Sequence, residues 1–261
     1  MKISIITIVK NGLPFLKSAI KSIKNQKKIE NVEHIIVCSP STDGTEKYLN
    51  TLSNVKIVID KDSTTRYGSI NKGINIASGD IIGLLHADDI FYNELTLYEI
   101  LQQFHDKNDV IYGNVFFCDK ENISKINREW ISSDFKRKKL YFGWMPPHTS
   151  LFIRNNILKD NLYEEGYPIS GDYLFMLKLF NNNNIKIKFL NKYITIMRVG
   201  GDSTKLKNFI KKLNEDFKIA KKFFKFPYLV ILMKIISKIN QLRLLKKNLS
   251  NDYINRLKRL N

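Results

Sequence analysis

Within the first 117 residues, short aliphatic and β-branched runs alternate with helical patterns, and each run ends in a polar cluster. The runs are Ile3–Val9, Glu33–Cys38, Val55–Ile59, Ile81–His86 and Val110–Phe117. Between them lie predicted helices at Pro14–Asn25, Thr45–Leu52, Gly68–Ile76 and Leu95–His105. Nearly continuous apolar runs imply strands covered on both faces, and their spacing implies βαβ units in a mostly parallel sheet flanked by helices. Ligands of such sheets bind beyond the carboxyl ends of the strands. The clusters that follow the strands are Lys10-Asn11-Gly12, Ser39–Thr45, Asp60–Arg66 and Asp88-Asp89.

The rest of the chain is less regular. Asp119–Met145 is charged and aromatic and reads as an insertion or lid. A short strand is predicted at Ser150–Ile153, a helix opening at Gly171-Asp172, and two strands at Ile185–Tyr193 and Ile194–Arg198. Lys205 to Asn261 reads as helical, broken at Pro227. The opening Ile3–Val9 run is too short for a secretory h-region and reads as a buried strand. No stretch approaches the roughly 18 uncharged apolar residues needed to span a bilayer. The expected location is therefore the cytoplasm. Two cysteines, Cys38 and Cys118, without a CxxC pattern, argue against a zinc site or a disulfide framework.

A formal charge of +18 calls for an anionic partner. It is unevenly spread, with 16 Lys/Arg against 3 Asp/Glu from Lys205 onward. A Lys-, Asn- and Ile-rich composition accounts for many lysines but not for that loss of acids. Lys221–Tyr228 mixes cations with aromatics, and Leu229–Ile236 is apolar. This is the pattern of an interfacial helix on an anionic membrane surface, where each cation contributes about 1 kcal/mol. A helical pair packed on the catalytic domain, with a solvated basic face, is the alternative.

Four constellations carry chemistry. His86-Ala87-Asp88-Asp89 ends an apolar strand, and a carboxylate pair there suits a hard divalent ion or a helix cap before Ile90. Ser41-Thr42-Asp43-Gly44-Thr45 suits a turn and cap, or phosphate-binding amides. Tyr67–Gly73 places Asn71 and Lys72 on one helix, facing a nucleotide or only solvent. Asp172 opens an apolar helix, as a cap or, within reach of an acceptor hydroxyl, as a general base.

Taken in order, Ser4-Ile5-Ile6-Thr7 with Asn11-Gly12, Ser41–Thr45, Asn71-Lys72-Gly73, Ala77-Ser78-Gly79-Asp80, Ala87-Asp88-Asp89, Tyr112-Gly113-Asn114, Pro147–Ser150, Gly171-Asp172-Tyr173 and Gly200–Ser203 resemble the family 2 inverting glycosyltransferases of the GT-A fold. The chain looks most like the subgroup that builds O-antigen, capsule and colanic-acid-type polysaccharides. The resemblance covers roughly residues 1 to 204. It implies a catalytic domain over 1–204, with a nucleotide half to about 117 and an acceptor half at 118–204, and a basic, membrane-associating extension at 205–261.

The resemblance also implies roles. Thr7 and Asn11 would line the nucleotide pocket. Asp62, Asn71 and Lys72 would lie near base, ribose or phosphates. Asp88 would approach ribose and metal, and Asp89 would hold Mg²⁺ or Mn²⁺ against the diphosphate. Asp172 would be the catalytic base, and His148 an acceptor or phosphate contact. Cys38 stands where the family carries a base-contacting Asp, with Asp62 or Ser39 as substitutes. Ser63-Thr64-Thr65-Arg66 is atypical for the family.

The implied partners are a nucleotide-sugar donor, a UDP-sugar above others, and a polyprenyl-diphosphate-linked glycan acceptor at the inner face of the cytoplasmic membrane. Two other readings are a nucleotide-sugar-binding protein without activity and a basic nucleic-acid-binding protein. Against the second, the basic tail lacks a recognised reading motif, so no nucleic acid is expected. No GxGxxG follows the first strand, which argues against a dehydrogenase.

Overall fold

The computed structural model describes residues 1–13, 15–200 and 206–242. Among them, β1 (Ile3–Val9), β2 (Val32–Cys38), β3 (Lys56–Ile59) and β4 (Ile81–Leu84) form a parallel block in the order β3-β2-β1-β4. Ile3, Ser4, Ile5, Ile6, Thr7 and Val9 of β1 are all buried, as expected of a strand covered on both faces. The crossovers carry α1 (Phe15–Lys24), α2 (Thr45–Leu49) and α3 (Arg66–Ile76). In α1, Leu16, Ala19, Ile20 and Ile23 recur at helical spacing on the buried face, and Lys17, Lys21 and Lys24 point outward.

The second half extends the same sheet. After β4 come β5 (Ile90–Phe91), α4 (Thr96–Gln103), β6 (Val110–Cys118) and β7 (Ile126–Trp130). Two 3₁₀ turns at Arg137–Phe142 and His148–Ser150 lead to β8 (Phe152–Arg154), then α5 (Asn155–Lys159), α6 (Gly171–Asn181) and β9 (Ile187–Arg198). β8 lies between β4 and β6, antiparallel to both. It joins the two halves into one nine-stranded sheet, ordered β3-β2-β1-β4-β8-β6-β9-β5 with β7 on β6. The junction depends on Gly83, where a Cβ would stand 2.3 Å from the Phe152 ring.

The α/β architecture agrees with the sequence, and the parallel arrangement holds in β3-β2-β1-β4 and between β6 and β9. Several details differ. The two strands expected from Ile185 to Arg198 are one strand, β9, whose register against β6 shifts near Asn114. The segment Asp119–Met145 is anchored, since β7 pairs with β6 and buries Glu129, which accepts a hydrogen bond from the Tyr193 hydroxyl. The helical break expected at Pro227 is present, with Pro227 as the first residue of a helix, where its missing N–H costs nothing. Thus α7 (Leu206–Phe223) and α8 (Pro227–Leu242) form an antiparallel corner against the second half of the domain. Residues 243–261 and the Gly201-Asp202-Ser203 stretch lie outside the described residues.

Candidate active site

The loops after β1 and β2 are stitched together. Asn11, with φ near +50°, accepts from the Thr42 amide at 2.8 Å, and its own amide donates to Ser41 Oγ at 3.0 Å. Asp43 accepts from the Thr45 amide and hydroxyl and from the Leu13 amide. Glu46 accepts from the Ser41 amide. These amides of the Ser41–Thr45 cluster thus serve loop structure. Thr7 is fully buried, its hydroxyl 3.0 Å from His34 Nε2, and faces that ring rather than a surface pocket. Cys38 is also fully buried, among Val9, Leu16, Ile20, Ile36 and Leu49. Ser39, half-buried, and Asp62, with an 87% exposed side chain, are the accessible groups nearby.

At the tip of β3, Asp60 is buried and accepts from Ser69 Oγ at 2.6 Å, Lys72 Nζ at 2.5 Å and the Ser63 amide at 3.1 Å. Burial pulls this carboxyl upward, but the donors outweigh it and hold it well below the usual carboxylate range. Lys72 also reaches Asp62 at 3.1 Å, so it bridges a buried and an exposed carboxylate. Asn71 makes a two-way bond with the Tyr163 backbone, 2.9 Å each way. It therefore fastens α3 to the loop at Tyr163, with both ends of its amide occupied.

After β4, the chain turns at His86–Asp89 and enters β5, so Asp89 caps no helix. Asp88 and His86 are half-buried, and Asp89 is 2% exposed. Among the described residues, Asp89 Oδ1 accepts a 3.3 Å bond from the Arg198 amide, and buried Oδ2 has no hydrogen-bond partner. Burial first, then the Asp88 charge, raises its pKa well above the ordinary value, against a lowering influence from Arg198. Buried carboxylates left unsatisfied are costly, and a cation would reverse that cost.

Asp172 lies in the first turn of α6. Its Oδ1 accepts from the Tyr173 amide at 2.8 Å and from the Tyr67 hydroxyl at 3.4 Å. Gly171 admits the Tyr67 ring, which a Cβ there would meet at 2.6 Å. Tyr67 stacks on Tyr163, with centroids 5.6 Å apart, and the Tyr163 hydroxyl is 2.8 Å from His148 Nε2. His148 in turn lies 6.1 Å from the His86 ring. Burial is the main cause of a lowered pKa at both imidazoles, to about 4 at His148. His86 feels the charges of both Asp88 and Asp172, and His148 feels Asp172. Asp88 and Asp172 thus both act on His86, and Asp172 acts on His148 as well.

The turn that carries Asp172 is held from behind by α7. Glu215, buried, accepts from the Ile169 amide at 3.0 Å and the Ser170 amide at 2.8 Å. Asp216 pairs with Lys234 at 2.9 Å and Lys212 at 3.3 Å, and Lys212 also reaches Ser170 Oγ. Sequence reasoning assigned no role to Tyr67, Tyr163, His86, Asp60 or Glu215. His86 stands two residues before the acidic pair, which is a usable signal. The others act across 9 to 105 residues of chain, and no local pattern marks such pairings.

Residues 4–165 match the glycosyl transferase family 2 model. An uncharacterized glycosyltransferase of Methanocaldococcus jannaschii is 28% identical over 191 residues, covering 69% of this chain and 65% of that relative. The chain therefore spans somewhat under two thirds of that relative's length. A PGL/p-HBAD biosynthesis glycosyltransferase of Mycobacterium bovis is 25% identical over 220 residues, 80% of this chain and 83% of the relative. Two solved structures share the fold. S. aureus TarS 1–349 in complex with UDP-GlcNAc gives a TM-score of 0.66 at 18% identity, covering 98% of this chain and 70% of that one. The mannosyltransferase PcManGT from Pyrobaculum calidifontis, in complex with GDP-Man and Mn²⁺, gives 0.63 at 13%, covering 99% and 84%. With its strand-tip cluster and this match over most of its sheet, the chain belongs to glycosyl transferase family 2.

Proposed function

We propose that this protein transfers a sugar from a nucleotide-sugar, a UDP-sugar above others, to a hydroxyl of a lipid-linked oligosaccharide in surface polysaccharide assembly. The observation that carries the reading is the chain of rings that joins the tip after β4 to α6: His86 lies 6.1 Å from His148, His148 is 2.8 Å from the Tyr163 hydroxyl, Tyr163 stacks on Tyr67, and Tyr67 donates to Asp172 at 3.4 Å. In this reading a donor diphosphate lies toward Asp88 and Asp89, and an acceptor hydroxyl toward Asp172. The UDP-GlcNAc complex of TarS and the membership in family 2 support the donor class.

In this scheme Asp172 accepts the proton of the acceptor hydroxyl as that oxygen attacks the anomeric carbon. The bond from that carbon to the diphosphate breaks, and the nucleoside diphosphate leaves. Attack opposite the leaving group inverts the anomeric configuration, so an α-linked donor gives a β-linked product. Tyr67 and the Tyr173 amide orient the base. Asp62 and Lys72 contribute to the donor side, with Asn71 fixing the helix that carries Lys72. His148, kept neutral by burial and fixed by Tyr163, borders the acceptor or phosphate position.

The residues present fit a divalent ion, Mg²⁺ or Mn²⁺, because Asp89 has a buried oxygen without a partner beside Asp88. Asp88 and Asp89 would hold it, and it would supply neutralisation of the charge that develops on the leaving diphosphate. No cluster of three protein ligands is present among the described residues, so donor phosphate oxygens and water would complete the set. The Mn²⁺-bound neighbour supports this cofactor class.

The test is a screen of UDP-, GDP- and dTDP-sugars for Mn²⁺-dependent hydrolysis and transfer. Asp172→Asn is expected to lower turnover by about 10²–10⁴-fold, with donor affinity nearly unchanged. Wild-type turnover in that variant would remove Asp172 from its role.

A further inference from the structure

The α8 helix packs Val230 and Ile231 on the core but leaves a second apolar stripe facing outward. Leu229, Leu232 and Ile236, spaced at i, i+3 and i+7, are 52%, 53% and 41% exposed, with Tyr228 at 76% beside them. On the opposite face Lys234 is 9% exposed, paired with Asp216 and lying over the Tyr173 ring. A helix in water normally presents its lysine outward and its leucines inward. Here the polar pair is spent on holding the helix to the domain, and the leucines are left facing out.

The neighbouring surfaces share this character. Phe226 is 65% exposed at the α7–α8 corner. Tyr141 and Phe142, both more than half exposed, end the 3₁₀ turn that packs on α8, and the Tyr141 ring meets Phe224 at 5.2 Å. Around the apolar residues stand exposed Lys136, Lys138, Lys218, Lys221, Lys222 and Lys225. The described part of α7 and α8 has only two acids, Glu215 and Asp216, and both are buried in ion pairs or amide bonds. The described residues of α7 and α8 therefore present cations and apolar groups outward with no carboxylate of their own among them, and Glu164 is the acid beside Lys222.

We propose that this face is a docking surface for an anionic lipid bilayer, with Tyr141, Phe142, Phe226, Leu229, Leu232 and Ile236 entering the interface and the lysines meeting the headgroups. Two features select this occupant. The apolar stripe suits acyl chains and contributes little to a nucleic-acid backbone. A second copy of this chain carries the same +18 charge, so lysine would oppose lysine across a symmetric contact. The proposal deepens the reading of a lipid-linked acceptor and rests on it only for its purpose.

The experiment is flotation of the full chain with phosphatidylcholine vesicles, and with vesicles containing roughly one-third phosphatidylglycerol. Hydrolysis of the donor in solution is measured in parallel. The expected result is at least about tenfold stronger binding to the anionic vesicles, weakened by salt, and about tenfold loss in Leu229→Glu/Leu232→Glu. Both positions are exposed, so the double variant should keep its circular dichroism spectrum and its hydrolysis. Equal recovery of wild type and double variant on anionic vesicles overturns the proposal, as does failure of the wild type to float. If the substitutions instead dissolve a concentration-dependent dimer, a second copy covers the stripe and the lipid assignment falls. Flotation without hydrolysis of any donor upholds the docking face and overturns the transfer reading. Hydrolysis without flotation does the reverse.

Discussion

Asp60 and Asp89 follow the two outer strands of the parallel block, β3 and β4, and are equally buried, at 1% and 2% exposure. One carboxylate is saturated by a hydroxyl, an ammonium and backbone amides. The other receives one long amide bond and has an empty oxygen. Their pKa values accordingly move in opposite directions, down at Asp60 and up at Asp89. Burial alone does not mark a functional acid. Asp60 is finished as a structural element, whereas Asp89 is electrostatically incomplete until something positive arrives.

Substitution should separate the two sites. Asp60→Ala strands Ser69, Lys72 and two amides, and is expected to cost about 3 kcal/mol in chemical denaturation. Asp89→Asn removes an unsatisfied charge, and stability without metal should be unchanged or slightly higher. The metal then sharpens the contrast. Saturating Mn²⁺ with UDP should stabilise the wild type by about 2–3 kcal/mol at a hundredfold excess over its dissociation constant, and Asp89→Asn should lose most of that shift in thermal melts. An Asp89→Asn protein that retained the full shift would assign the cation to Asp88 alone.

The smallest effect is in pH. Asp60 binds its proton less tightly folded than unfolded, so its contribution is full above the ordinary carboxylate range and is lost on acidification below it. Asp89 has the opposite sign. Its folded pKa is raised, so its contribution is present in acid and lost as pH rises from the ordinary carboxylate value through the folded one. Subtracting the Asp89→Asn stability curve from that of the wild type should leave a decline with rising pH of at most about 1.4 kcal/mol per unit. A flat difference would mean that folding leaves the proton affinity of Asp89 unchanged.

Much of the architecture was legible because buried parallel strands need unbroken apolar runs, and β1, β2, β4 and β6 have them. The polar clusters follow those strands, so they gather at the carboxyl end of the parallel block. Two-residue β5 and the charged strand β7 carry no such signature; partners on β9 and β6 define them. Asp89 read equally as a cap or a ligand, because whether Ile90 begins a helix or a strand depends on β9, more than a hundred residues away. Thr7, Cys38 and Asn71 sit at motif positions, yet their side chains are committed to His34, to the core and to the Tyr163 backbone. A motif gives position along the chain, and only packing shows which way a side chain faces.

Glu215 gives α7 a second importance. A shortened protein ending before Leu206, made for easier handling, would shed an adhesive tail and would also cut the tether behind the Ile169–Ser170 amides. Loss of turnover in such a fragment would then say nothing about where the protein works in the cell. The outward-facing α8 rests on α7, the helix whose Glu215 holds the turn before Asp172, so one cut removes both.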